Sequence, residues 1–290
     1  MRKMMTFAVM VAMCFAAVSF AQTKKIDEKM NSVLWEISGN GLKESSFVLG
    51  TFHMMCEKDF QIKPKVFGAL KKVQKVVFEI DYSNPKEIVE MQKMMLSEKK
   101  LSEQLSVDDA NELNEILKAY GTTLEAVDDY SVQALYSILG MKVIPCPQEE
   151  IRMYEIELLK IALKEGKAVG GLEKVVDQLA FLGKSYDLKE AMRQLKLGQA
   201  YEELSKEMIK GYINEDLVVL DKLIKDVRFM SVDQERWMLT ERNIQWVDKD
   251  MPEMMSAGSV LFGVGSGHLM GDNGVVALLR ERGYTVKPVY

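Results

Sequence analysis

One pattern, present twice, limits what this chain can fold into. Near the C-terminus the apolar run Ser259-Val260-Leu261-Phe262 climbs into the glycine-rich turn Gly263-Val264-Gly265-Ser266-Gly267-His268. A helix-like run from Val275 to Arg282 follows, Gly283 closes it, and Tyr284 to Tyr290 reads as a strand. Near the N-terminus, Ser46-Phe47-Val48-Leu49 leads into Gly50-Thr51-Phe52-His53, then an amphipathic stretch from Lys65 to Val73, then the strand Val76-Val77-Phe78-Glu79-Ile80. The chain has 2 histidines, and each ends one of these turns. The unit is strand, Gly-x-x-His turn, helix, strand, in two copies around a long middle rather than a solenoid array.

A half-buried strand, Val33 to Ile37, precedes the first unit, and Gly39-Asn40-Gly41 marks the hairpin turn that returns the chain into Ser46. From Pro85 to about Asp250 strand signals nearly vanish and helical periodicity takes over. Helices are expected at Pro85–Leu96, from Val107 to Tyr120, Thr123–Leu139, Glu150–Glu165, Glu173–Leu182, Leu188–Lys210, Glu215–Arg228 and Val232–Asp248, with a short strand around Lys167–Leu172. The expected fold class is α+β with an α/β-like core. Residues 22–84 and 255–290 form a sheet platform, and residues 85–254 form a mostly helical insert in the single domain 22–290. Methionines at helical spacing, such as Met91, Met94 and Met95, read as core filling; a flexible binding surface is the alternative.

Residues 1–21 carry basic Arg2 and Lys3, an apolar stretch from Met4 to Phe20 and small residues before a cut after Ala21. This is the pattern of a secretory signal peptide, with an uncleaved anchor as the alternative. The expected location is therefore exported, periplasmic or secreted. Formal charge is −5 for the whole chain and −7 without Arg2 and Lys3, with no basic run, which gives no case for nucleic-acid binding. No later segment is long and apolar enough to span a bilayer. Cleavage leaves Cys56 and Cys146. Export permits a disulfide between them, and two buried thiols is the other reading.

The chemistry-bearing residues start with the histidines. Glycine before a strand-end histidine lets backbone approach closely, and sites collect at strand ends in α/β sheets. Glu79 lies in an otherwise apolar strand, where a carboxylate is costly unless it is paired or bound to a cation. Together His53, His268 and Glu79 make a His-His-Glu set suited to a divalent ion (manganese, cobalt or zinc) with a position open for water. Metal-free chemistry, with one histidine as general base and Glu79 orienting it, is the alternative. Arg242 and Asn243 sit on the last helix before the second turn, where a mid-helix Asn suggests a side-chain contact. Gly170-Gly171-Leu172-Glu173 with Gln178 is a turn into a helix, and a first-turn acid complementing the dipole is one reading of Glu173.

The ordered set Leu34-Trp35-Glu36-Ile37, Leu49-Gly50-Thr51-Phe52-His53, Val77-Phe78-Glu79-Ile80, Gly171-Leu172-Glu173 with Gln178, Glu241-Arg242-Asn243 with Trp246, and Gly265-Ser266-Gly267-His268-Leu269 with Gly283-Tyr284 resembles the TraB/GumN family, related to the Tiki metalloproteases. The resemblance spans nearly the whole chain after residue 21. It implies that both Gly-x-x-His turns and the strand glutamate face one cleft. It further implies a metal-dependent peptidase acting on a peptide or small-molecule substrate, with His53, His268 and Glu79 as metal ligands and Arg242 and Asn243 alongside. Related folds include haem- or iron-binding lipoproteins and erythromycin-esterase-like hydrolases that need no metal. A non-enzymatic binder of a peptide signal, haem or metal is the alternative from another class, because fold does not fix reaction.

Overall fold

The structure, a computed structural model, describes residues 31–290; the signal-peptide segment lies outside the described residues. The fold is α+β. The described residues hold eight strands: β1 (Leu34–Ser38), β2 (Ser46–Thr51), β3 (Met54–Cys56), β4 (Lys75–Ile80), β5 (Ile151–Met153), β6 (Ala168–Glu173), β7 (Val260–Gly265) and β8 (Thr285–Pro288). Six of them form one sheet in the order β6-β4-β7-β2-β1-β8, and β3 pairs with β5 in a separate ribbon. β2, β7, β4 and β6 run parallel. β1 is antiparallel to both β2 and β8, so β8 runs with the parallel set.

The two copies of the unit interleave. β2 leads through the Pro64–Lys72 helix to β4, on the far side of β7. β7 leads through the Val275–Glu281 helix to β8, on the far side of β2 and β1. The crossovers therefore leave β2 and β7 in opposite directions, which makes the boundary between these strands a topological switch point. Thr51 pairs with Gly265, so both Gly-x-x-His turns start at the same level of the sheet. β2 and β7 are buried along their whole length, as fits apolar parallel strands covered on both faces.

Local sequence explains the element ends. Gly39, Asn40 and Gly41 all adopt positive φ and form the β1–β2 turn. Pro64 and Pro85 open their helices, and Asn84 caps the second by accepting from the Lys86 amide. Several expected helices are divided. Thr123–Leu139 becomes Leu124–Val127 and Val132–Lys142, and the latter continues through Gly140. Leu188–Lys210 becomes Leu188–Leu195 and Gly198–Ile213. Glu150–Glu165 loses its start to β5, and the helix begins at Tyr154. The first of these breaks falls at Asp128–Ser131, where Ser131 accepts from the Ala134 amide and the backbone of Asp128 and Asp129 bonds Leu101 and Ser97.

The main core joins the sheet to its flanking helices, with Trp35, Phe47, Phe78, Tyr154, Trp246 and Phe262 among its largest buried side chains. The middle of the chain has a smaller core of its own around Leu101, Leu113, Leu117 and Leu135. That middle also contributes β6 to the sheet and β5 to the ribbon, so the platform is not made from the chain ends alone.

Cys56 at the end of β3 is disulfide-bonded to Cys146, with Cα atoms 5.9 Å apart and a sequence separation of 90. Closing a loop of that size restricts the unfolded chain and contributes on the order of 4 kcal/mol. Denaturant unfolding of the oxidised protein and of a Cys56→Ser/Cys146→Ser variant should differ by about that amount. Coincident unfolding curves would show that the cross-link contributes nothing.

Candidate functional site

The site forms where β2, β4, β6 and β7 end. β4 delivers Glu79 and β6 delivers Glu173, both buried. One Glu79 oxygen accepts from the Gly265 amide at 2.7 Å; the other accepts from Arg242 Nη2 at 2.5 Å. Arg242 comes from a continuous helix, 232–257, that is capped at its start by a Ser231–Gln234 capping box. On either side of Arg242 and Asn243 this helix carries a π-helical turn, Arg236–Thr240 and Trp246–Asp250. Such turns shift helix register locally and are frequent at functional sites.

Every N–H direction of the Arg242 guanidinium has an acceptor. Nε donates to Glu173, Nη2 donates to Glu79 and to Glu173 at 2.6 Å, and Nη1 donates to the Met238 carbonyl at 2.9 Å and faces His268 Nε2 at 3.2 Å. Glu173 also accepts from Gln178 Nε2 at 3.0 Å and from the Trp246 indole at 3.3 Å. Burial pushes the Glu79 carboxyl up, but the charges of Arg242 and His53, with the Gly265 amide, more than offset it and hold it well below the usual carboxylate range. Burial wins at Glu173, whose pKa is raised despite Arg242.

His268 is buried, and its ring packs against Trp246 at 4.6 Å between centroids. Asn243 donates its amide N–H groups to the carbonyls of Asn273 and His268, at 2.8 and 3.3 Å, which leaves its oxygen to accept from His268 Nδ1 at 2.6 Å. His268 Nε2 is then the unprotonated nitrogen and accepts from Arg242. Burial, with the Arg242 charge, depresses the His268 pKa to about 3 even though Glu79 opposes the shift, so the ring is neutral. Asn243 therefore holds His268 from behind and does not line the cavity itself.

His53 is placed differently. Its side chain is 58% exposed, opening into a cavity, while its Nδ1 lies 2.7 Å from Glu155, a buried carboxylate. Glu155 also accepts from the Thr51 hydroxyl at 2.5 Å. The β3–β5 ribbon brings Glu155 there: Met54 pairs with Met153, the Tyr154 amide donates to the His53 carbonyl at 3.1 Å, and Glu155 follows in the first turn of the next helix. The Glu155 charge raises the His53 pKa to about 9 against the opposing cost of desolvation. Gly265 sets the spacing of the centre. A Cβ there would lie 3.1 Å from His53 Nε2 and 3.3 Å from Glu79 Oε1, so glycine is what lets both side chains face the same point. His268 Nε2 is 3.7 Å from that same Glu79 oxygen.

The structure thus brings His53, Glu79, His268 and Arg242 to one cavity wall, with Asn243 behind His268. Glu155 was absent from the residues that the sequence singled out, and Glu173 was read as a first-turn acid complementing the helix dipole. A signal for Glu155 existed: with Leu158, Leu159 and Ala162 it lies on the buried stripe of its helix, where a carboxylate needs a partner.

The sequence profile of the TraB/PrgY/gumN family matches residues 33–288. The chain belongs to the TraB/PrgY/gumN family. Neither the curated proteins nor the solved structures include a match. The family assignment covers both turns, the strand glutamate and the Arg242–Asn243 pair in one ordered unit.

Whether this family member's centre suits a dication is decided by its donors. Their types suit manganese, cobalt or zinc. The lone pairs of His268 Nε2 and of one Glu79 oxygen are committed otherwise: Arg242 stands on both, where it supplies the positive charge that an ion would bring. Among the described residues no group of three or more His, Cys, Asp or Glu side chains is arranged to hold a metal ion. The centre as built does not fit the ion.

Two pH limbs follow from the histidines. His53, raised to about 9, binds its proton more tightly folded than unfolded, so its contribution is complete below its ordinary value of 6.5 and is lost as pH rises through about 9. His268, lowered to about 3, resists protonation, so its contribution is complete above 6.5 and is lost as pH falls toward 3. Melting temperature followed from pH 4 to 10 should fall on both sides of roughly 6.5. His53→Gln should flatten the alkaline limb and His268→Gln the acid one; a limb unaffected by its own substitution would remove that histidine as its cause. Arg242→Met leaves two buried carboxylates without their cation, and urea unfolding should show a loss of about 3–5 kcal/mol.

Proposed function

We propose that the protein is an exported hydrolase of esters or amides, peptide bonds included, with His53 as its general base. The observation that carries this reading is the His53–Glu155 pair. One ring nitrogen is held by a buried carboxylate, and the other faces a cavity beside Glu79, His268 and Arg242. A base oriented by a third group and open to a substrate space is the arrangement that acid–base hydrolysis requires. The disulfide and the signal-peptide-like start of the chain support export to an oxidising compartment.

In this reading His53 Nε2 takes a proton from a water bracketed by His53 and Glu79 above Gly265. The water oxygen forms a bond to the substrate carbonyl carbon, and the carbonyl electron pair moves onto oxygen. The tetrahedral intermediate then collapses. The bond to the leaving alcohol or amine breaks, and the proton on His53 passes to that leaving group. Glu155 keeps the imidazole oriented and stabilises its charged form, as the third member of a nucleophile–base–orienter set does. Glu79 stays ionised, because Arg242 neutralises it, and it orients the water without competing as a base. His268, neutral and buried, packs the floor of the centre.

The test is turnover of an ester panel and a peptide library. His53→Ala should lower kcat/KM by about 100- to 10,000-fold. The wild-type rate should rise with pH through an apparent pKa of about 9, because only the neutral imidazole accepts a proton. Glu155→Gln should move that midpoint down toward the ordinary histidine value of 6.5, a displacement that loss of packing alone would not produce. Undiminished turnover by His53→Ala, or a pH profile that Glu155→Gln leaves in place, would overturn the assignment.

A further inference from the structure

The cavity above the centre has two unlike ends. Its volume is about 400 Å³, within the range of small-molecule sites. At one end stand His53, Glu79, Arg242 and His268, and these are the ionisable side chains of its lining apart from the Tyr201 phenol. The rest of the wall is mostly aliphatic or thioether. Met54, Leu204, Met208, Met230, Met238 and Leu239 come from separate parts of the chain and meet there. Methionine is unbranched and flexible, so it conforms to a chain of variable shape and presents no polar group to it.

We propose that this cavity takes an unbranched aliphatic chain, so that the substrate, on the hydrolase reading above, is an ester or amide of a straight-chain acyl group. The carbonyl sits against His53 and the chain runs along the methionines. A peptide in the same space would set amide groups against walls that offer little to hydrogen-bond them, at a cost for each unpaired group. Away from the centre the polar side chains of the wall are those of Ser205 and Tyr201, and the Tyr201 hydroxyl already donates to the Phe229 carbonyl. An aromatic occupant has little to stack on. The wall aromatics Phe52 and Tyr201 are engaged with Tyr212 and Phe229, at 5.5 and 4.5 Å between centroids. The far wall is also fixed in place, since Val143 and Ile144 line it just before Cys146, which is bridged to Cys56 beside the His53 turn.

The test separates chain recognition from catalysis by using ligands that do not react. Butanol, hexanol, octanol and decanol are titrated calorimetrically into the purified, disulfide-bonded protein. Each added methylene should tighten binding roughly fourfold until the cavity is full. Hexanol should bind more tightly than benzyl alcohol. Met208→Glu and Met230→Glu should each weaken decanol at least about tenfold. Affinity independent of chain length, preference for benzyl alcohol, or decanol binding unchanged in both glutamate variants would overturn the proposal. The chain-length series is read on the wild type and holds even where a variant fails to fold. p-Nitrophenyl decanoate should also be cleaved faster than the acetate; equal rates count against the pocket. Tight, length-dependent alcohol binding without turnover of any ester or amide would sink the hydrolase reading and leave the aliphatic pocket standing.

Discussion

The Arg242 guanidinium, shared between Glu79 and Glu173, is the interaction on which the arrangement of the site depends. Burying three charges costs several kcal/mol per ion unless each finds partners of good geometry. Here the cost is offset by using every donor direction of the guanidinium and by giving Glu173 two further donors, Gln178 and Trp246. The result is a rigid knot between the ends of β4 and β6 and the long helix 232–257. His268 and the Gly265 amide are tied to the same knot, so β7 is registered against it as well.

The same knot divides the labour between the two histidines. His268 is pinned between Asn243 and Arg242 and kept neutral by burial, so it has no proton to exchange near neutral pH. His53 lies outside the knot, on a turn that the β3–β5 ribbon holds against Glu155, and it keeps one nitrogen free toward the cavity. Two copies of one sequence motif therefore supply a fixed element and a titrating element. Their environments push the pKa values apart, to about 3 and about 9. Separated values of that kind mark the assignment of roles in acid–base sites.

The helices over the centre also set its geometry. The π-turns on either side of Glu241–Gln245 let Arg242 reach down to the strand ends while Met238 and Leu239, a turn earlier, face the cavity. The disulfide fastens the opposite wall to the strand that follows His53. A polar floor and an apolar wall are thus held in fixed relation by one ionic knot and one covalent link.

Much of this was legible in the sequence because it is local. The two strand–turn–helix–strand units, the Gly39-Asn40-Gly41 turn, and the Pro64 and Pro85 helix starts depend on neighbours a few residues away. The presence of Glu79 in an apolar strand announced that a partner was needed, and Asn243 in mid-helix announced a contact. What those partners were could not be read, because they come from residues distant in the chain. Arg242 satisfies Glu79 only once β4, β6 and helix 232–257 converge. Glu155 meets His53 only because β3 pairs with β5. The division of helix 123–139 likewise answers to distant partners, since Asp128 to Ser131 leave the helix to bond the backbone of Met95 to Leu101, which local propensity does not register. The sequence by itself determined which residues must be paired and where strands must end. Tertiary structure decided with whom they pair, and so which histidine is charged, because a buried charge takes its state from whatever the fold sets beside it.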